Sequence, residues 1–253
     1  MESTYSKSLL VQEFEALRFV FGDKKNSCTG DALQKSLQPA ALGLQEPFKT
    51  VAETLKVPLI FPRQVHGVEV LALKTKANVQ KALEHHTDAD IISTSLEGVG
   101  IGVLTADCLP LILYDPEVHA CAVVHAGWKG TLKNVACEAL EHLGCEYGTS
   151  PEHVLAFFGP CAHVEKYSAS TELLKLLSGS PFRENVLEDR EGVIYFNLPK
   201  MNELQLRACG LLAENIHREF CKDTITNYAY WSYRRDGESA GRQLTVAMLA
   251  VKE

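Results

Sequence analysis

The 253-residue sequence has no run approaching the roughly 18 apolar residues that a membrane-spanning helix requires, so a membrane protein is not expected. It has no GxGxxG following a strand-like segment and no GxxxxGK[ST], which removes the two common phosphate-cradling fingerprints. There is no CxxC pair among the eight cysteines and no His-x-His among the nine histidines. A local zinc-ribbon pattern and the paired histidines of a multicopper oxidase are therefore both missing. Positive charge is also in deficit. With a net charge of −7, the chain carries no overall basic field for nucleic acid or anionic membrane. Met1–Leu10 holds one lysine and no apolar core, unlike a secretory signal. The cysteines then read as reduced thiols, and the expected location is the cytoplasm.

What remains is an ordinary globular balance, 46% hydrophobic and 23% charged. Val68–Leu73, Ala89–Ser93, Gly100–Leu104, Leu109–Tyr114, His119–His125, Val154–Phe158 and Gln243–Val251 read as strands rich in β-branched and apolar residues. Apolar residues at Leu132, Val135, Ala136, Ala139, Leu140 and Leu143 put one helical face along Thr131–Leu143. Ser170–Leu177 reads as a helix capped by Ser170, and Pro199–Phe220 as a helix opened by proline. The irregular order favours a mixed α/β sandwich over a doubly wound sheet. No linker or repeat divides the chain, so a single domain over residues 1–253 is expected.

Three stretches do not look like scaffolding alone: Arg63-Gln64-Val65-His66-Gly67 before a strand, Thr105-Ala106-Asp107-Cys108-Leu109-Pro110 between two strands, and His125-Ala126-Gly127-Trp128-Lys129-Gly130-Thr131 where a strand becomes a helix. Each places a metal ligand or nucleophile at a strand end beside small or turn-forming residues, where a side chain can project into a cleft. His66, Cys108 and His125 make a three-ligand zinc set with an open fourth position, the mark of a catalytic rather than a structural site. Taken singly, each has a plainer reading, as a hydrogen-bonded histidine or a buried thiol.

QVHG, TADCLPLILYDP, HAGWKGT, GPC and WSYRRDGESAGR, in this order, resemble the YfiH/YlmD family, once labelled multicopper polyphenol oxidase or laccase-domain and related to the mammalian protein FAMIN. The likeness runs from about Pro62 to the C-terminus. It implies an α/β sandwich of the YfiH type and a zinc-dependent enzyme of purine nucleosides. That enzyme would combine phosphorolysis of adenosine, inosine, guanosine and methylthioadenosine with deamination of adenosine. The resemblance assigns zinc to His66, Cys108 and His125. Copper in such a His/Cys site is chemically feasible in vitro, but the histidine pattern argues against copper oxidation as the role. His85-His86, the only adjacent pair, reads as a solvated turn.

For deamination, zinc can lower the pKa of a water toward 7 for attack at C6 of the purine. Asp107 beside Cys108 is the first carboxylate to consider for moving the proton, although an Asp before Cys-Leu-Pro also suits a turn. Phosphorolysis needs cationic donors around the phosphate. Lys129 at a helix start, Arg63, Arg234, Arg235 and Arg242 are the candidates, with Trp128 a candidate for stacking on the base.

Two departures from the family pattern stand out. Where the family leads into Cys-Cys-Tyr, this chain has Cys161-Ala162-His163-Val164-Glu165-Lys166-Tyr167 and keeps only the tyrosine. Leu17–Lys24 matches the family only in part, so no binding residue is carried over there. The alternative chemistry is a Cys–His hydrolase, with Cys108 as nucleophile and His125 as base. The fold resembles the catalytic domain of cytotoxic necrotising factor toxins, which are Cys–His deamidases, and some bacterial family members are linked to editing of peptidoglycan precursors. A non-catalytic interaction module would leave the three polar motifs without a purpose. Oligomeric state is not legible.

Overall fold

Along Arg242–Leu249, Leu244, Val246 and Met248 enter one hydrophobic cluster while Ala247 and Leu249 enter another. A strand whose alternate residues are all buried must be covered on both faces. The structure, a computed structural model describing residues 11–29 and 46–250, supplies both covers.

In chain order the elements are β1 Gln12–Phe14, β2 Leu17–Phe21, β3 Ser27–Cys28, α1 Phe48–Leu55, β4 Leu59–Ile60, β5 Val70–Leu73, α2 Lys76–Glu84, β6 Ile91–Thr94, β7 Gly100–Thr105, β8 Leu109–Asp115 and β9 Ala120–Ala126. They continue with α3 Trp128–Leu132, α4 Val135–Tyr147, β10 Leu155–Phe158, α5 Thr171–Leu176, α6 Arg183–Val186, β11 Leu187–Arg190, β12 Val193–Phe196, α7 Leu198–Ala208, β13 Ile216–His217, α8 Tyr233–Asp236 and β14 Arg242–Leu249. One sheet runs β1-β2-β14-β7-β4, with β3 also on β14; a second runs β13-β10-β8-β9-β6-β5. Most pairs are antiparallel, but β4 with β7, β5 with β6 and β10 with β13 are parallel.

The sheets face each other through Phe19, Ile101, Val103 and Leu249 on one side and Ile112, Tyr114, Val123 and Phe157 on the other. The outer face of the first sheet takes Phe48, Val51 and Leu55 of α1. The outer face of the second, with Leu111, Leu113, Ala122 and Val124, takes α4 and α7 through Val135, Ala139, Leu143, Met201 and Leu206. A fully buried side chain of this size is worth about 1.5–3 kcal/mol of transfer free energy, so these layers hold the molecule together. The mixed α/β sandwich expected from the sequence is the observed fold.

Several boundaries differ from the sequence reading. The helix predicted over Thr131–Leu143 is two helices, α3 and α4, separated by Asn134 at φ +62°. The helix predicted over Pro199–Phe220 stops at Ala208, because Gly210 takes φ +98°, a left-handed turn that favours glycine. A single 3-10 turn at Ala213–Asn215 then leads into β13 instead of further α-helix. Asn197 caps α7 by accepting from the Lys200 amide at 3.0 Å, and Ser170 caps α5 as expected. The expectation of reduced thiols is corrected at one place: Cys137 of α4 and Cys209 after α7 form a disulfide, which ties together the two helices covering the second sheet. Met1–Leu10 and Val251, to which the signal and last-strand expectations extended, lie outside the described residues. No helix among the described residues is long and apolar enough to cross a membrane.

Candidate metal centre and active site

The chain passes from one sheet to the other between β7 and β8, and the crossing is made by Ala106, Asp107 and Cys108. Asp107 sits at φ +83°, a conformation costly for a residue with a Cβ. Its surroundings over-determine it. Oδ1 accepts from Thr224 Oγ1 at 2.6 Å, and Oδ2 accepts from the Arg234 amide at 2.6 Å and Ser232 Oγ at 3.1 Å. The kink turns Cys108 toward the end of β9, where His125 stands.

His66 reaches the same place from the loop after β4. Gln64 pins that loop: its Nε2 donates to the Leu104 carbonyl and its Oε1 accepts from the Leu104 amide, both at 2.8 Å. The side-chain amide thus acts as one further rung on β7. Asp90, fully buried just before β6, fixes the rest. It accepts the amides of Val65, His66 and Gly67 at 3.1, 3.0 and 2.7 Å, and its Oδ1 lies 2.7 Å from Nδ1 of His125. Burial alone would raise its carboxyl pKa; the His125 and backbone hydrogen bonds outweigh burial and hold it below the usual carboxylate range.

The metal-ligating atoms of His66, Cys108 and His125 all lie within 4.8 Å of one another. The two imidazoles meet edge to face, with centroids 4.8 Å apart and planes at 77°. A side chain at Gly127 would bring a Cβ to 2.9 Å from Cys108 Sγ and 3.0 Å from His66 Cδ2, so glycine leaves the room this cluster needs. Burial pushes the Cys108 thiol up, but attraction to His125 and hydrogen bonds from His125 and His66 overcome it and bring the pKa to about 6. Burial pushes His125 down, yet Cys108 and Asp90 lift it to about 9. These opposed shifts, Cys108 down and His125 up, favour a thiolate beside an imidazolium when no ion is bound.

The cluster opens into a cleft of about 880 Å³. Arg63, Lys129, Arg234 and Arg242 all line it, so a chain of net negative charge carries a cationic wall here. Arg63 is engaged by Asp88 on the rim, with Nη2 donating to Oδ2 at 2.7 Å. Arg234 donates to Ser168 Oγ at 2.9 Å and lies over the Tyr167 ring at 4.8 Å. Arg242 donates to the carbonyls of Ala240 and Gly241, and Lys129 stands 5.4 Å from the centre of the Trp128 ring. The helix that carries Lys129 has only five residues, so its terminus contributes little field of its own.

Arg235 does not join this wall. It is spent on the carbonyls of Thr224, Ile225 and Tyr230 and on Asp236. His86, expected in a solvated turn, instead lines the cleft, while its neighbour His85 is exposed. Sequence reading missed Asp90 and Gln64, and neither announces its role by spacing. Tyr233, half exposed on the cleft wall, was visible only as part of the SYRR string.

Residues 38–250 match the family described as multi-copper polyphenol oxidoreductase laccase. The chain is 30% identical over 239 residues to the adenosine deaminase RL5 of an unidentified prokaryote, covering 88% of each chain. It is 27% identical to a purine nucleoside phosphorylase of Bacteroides thetaiotaomicron, over 88% of this chain and 84% of that one. The crystal structure of Bacillus licheniformis YfiH superposes with a TM-score of 0.80 at 22% identity, covering 98% of both chains, and shares the fold. With these relatives and with the QVHG, TADC and HAGWKG segments meeting around one cleft, the chain belongs to the YfiH/YlmD family of multi-copper polyphenol oxidoreductase laccase-type proteins.

Proposed function

We propose that the protein is a zinc-dependent purine nucleoside phosphorylase, acting on adenosine, inosine, guanosine and methylthioadenosine, that also deaminates adenosine. The observation that carries the reading is the His66–Cys108–His125 cluster opening directly into a cationic cleft. Relatives named for adenosine deamination and purine nucleoside phosphorolysis, at 30% and 27% identity, support the same chemistry.

The donor set fits zinc. Two imidazoles and a thiol converge, and Asp90 occupies Nδ1 of His125, which would leave Nε2 as its coordinating atom. When bound, zinc supplies Lewis-acid activation of water or of a substrate oxygen. The side chains do the rest. Lys129, Arg234 and Arg242 hold phosphate and balance its charge, with Arg63 at the rim. A phosphate oxygen then bonds to C1′ of the ribose as the C1′–N9 bond breaks, and the electron pair leaves with the purine. Trp128 and Tyr233 offer ring faces to the base. For deamination, water adds at C6 and ammonia leaves. Asp107, with both oxygens already accepting hydrogen bonds, serves in this proposal as a positioning residue that fixes Cys108 and Arg234, not as the proton carrier first considered.

Inosine and phosphate incubated with protein of measured zinc content are expected to give hypoxanthine and ribose 1-phosphate, and a chelator is expected to stop the reaction. Absence of both products with zinc-loaded protein rejects phosphorolysis. The thiolate–imidazolium pair favours one second reading, a Cys–His hydrolase or deamidase acting on peptidoglycan precursors, with Cys108 as nucleophile. A covalent acyl adduct on Cys108 in metal-free, fully active protein would establish that reading in place of zinc chemistry.

A further inference from the structure

Behind the cleft, on the far side of Asp107, a second set of soft ligands converges. Cys161 follows β10, His163 lies two residues on, and Cys221 comes from the loop after β13. We propose that Cys161, His163 and Cys221 bind a second zinc ion, separate from the candidate catalytic centre, that staples these two loops together. This proposal goes beyond the nucleoside reading and does not depend on it.

The geometry fits an ion. Cys161 Sγ and Cys221 Sγ are 3.8 Å apart, and Cys221 Sγ is 3.4 Å from Nε2 of His163. All three ligand atoms fall within 4.8 Å of one another. Tetrahedral zinc, with Zn–S near 2.3 Å and Zn–N near 2.0–2.1 Å, sets S···S edges of about 3.8 Å and S···N edges of about 3.5 Å. Two thiolates and an imidazole form a soft set that selects zinc over magnesium or calcium. None of the three residues lines the cleft.

The frame that carries them is already hydrogen-bonded. The Cys161 amide donates to the Lys222 carbonyl at 3.0 Å, and the Thr224 amide donates back to the Cys161 carbonyl at 2.9 Å. The His163 amide donates to Asp223 Oδ1 at 3.1 Å. Both Asp223 oxygens are spent on this and on the amides of Ile225 and Thr226, so Asp223 is not counted among the ligands. Cys161 is fully buried while His163 and Cys221 are half-buried, which leaves the fourth position facing solvent for a water. The thiol protons pass to solvent as the ion binds.

The location gives the ion a consequence. Between the ligands Cys161 and His163, the Ala162 amide donates to the Asp107 carbonyl at 2.9 Å. Three residues after Cys221, Thr224 donates to the Asp107 carboxylate. A staple joining these loops therefore braces the kinked residue next to Cys108 from behind.

The test counts zinc in protein purified under a phosphine reductant, passed over a weak chelator and checked for native fold by circular dichroism. Two zinc ions per chain are expected in the natural sequence, and one in Cys221→Ser, in His163→Ala and in Cys108→Ser. Cobalt loaded into Cys108→Ser is expected to give a thiolate-to-cobalt absorption that is lost when His163→Ala and Cys221→Ser are added. Equal zinc in the natural protein and in both His163→Ala and Cys221→Ser overturns the proposal, as does a Cys161–Cys221 disulfide that persists under reductant. If Cys108→Ser alone leaves the count unchanged, the catalytic zinc fails and this site stands.

Discussion

Asp90 lies 2.7 Å from Nδ1 of His125 and with the same carboxylate gathers the amides of Val65, His66 and Gly67. One buried anion therefore orients both histidines of the candidate centre, one through its ring and one through its backbone. Asp90→Asn keeps the shape and removes the charge. Zinc affinity is expected to fall about 10–100-fold, the usual cost of removing a carboxylate partner from a ligand histidine. Competition against a chromophoric chelator measures it, and an unchanged affinity would remove Asp90 from the centre.

In metal-stripped protein the alkylation of Cys108, followed by peptide mapping to separate it from Cys145 and Cys221, reports its thiolate. Its reactivity toward iodoacetamide is expected to rise with pH through about 6, where an ordinary thiol would begin near 8.5. Stability behaves differently. The lowered Cys108 pKa adds stability as pH rises from about 6 toward the unfolded thiol value, and the raised His125 pKa loses stability as pH rises from the unfolded imidazole value through about 9. Between these limits the folded pair keeps its proton on His125 and the unfolded pair keeps it on Cys108, so the two slopes cancel. Zinc must displace that proton, and loading near neutral pH is expected to release about one proton per ion at this site. An alkylation profile rising only above pH 8 would deny the ion pair.

Asp107→Ala removes the acceptor for three donors at a buried position. Hydrogen bonds to a charged group are worth about 1.5–3 kcal/mol each and do not add fully, so a loss of about 3 kcal/mol is expected. At roughly 2–4 °C per kcal/mol, the melting temperature should drop by about 6–12 °C. Asp107→Asn is the finer probe. As a positioning residue it should lower kcat without moving either limb of the pH–rate profile. A limb that disappears in Asp107→Asn would restore Asp107 as the proton carrier.

Lys129 is exposed and makes no ion pair among the described residues, so Lys129→Ala should leave the melting temperature unchanged. If phosphate binds at the cationic wall, the KM for phosphate should rise about 10-fold or more in this variant while the KM for nucleoside changes little. Equal effects on both substrates would place phosphate elsewhere in the cleft.

The sandwich was legible because its inner strands carry apolar residues on both faces: Leu109–Tyr114 reads as one unbroken run, and the structure covers it twice. Helix ends were less legible. Asn134 and Gly210 interrupt apolar periodicity only through backbone angle, and neither residue type forbids a helix on its own. The three candidate ligands were visible because each sits at a strand end beside turn-forming residues, in a motif that resembles the family's. Asp90 was not, because it falls inside the expected strand Ala89–Ser93 with no motif around it, and its partners lie more than twenty residues away in sequence. Gln64 was hidden for a similar reason, since an amide that substitutes for a backbone rung leaves no periodic trace.

The ligands of the candidate centre do not come from one layer. The loop of His66 is fastened to β7 through Gln64, Cys108 sits in the crossing between β7 and β8, and His125 lies at the end of β9 in the opposite sheet. An ion gripped by all three is a rivet through both plates of the sandwich. Stripping it should loosen the seam between the plates at the end where the cleft opens, so the apo protein should breathe there first. Amide exchange at Leu104 and Leu109 would then act as a gauge of metal loading, readable with no substrate in the tube.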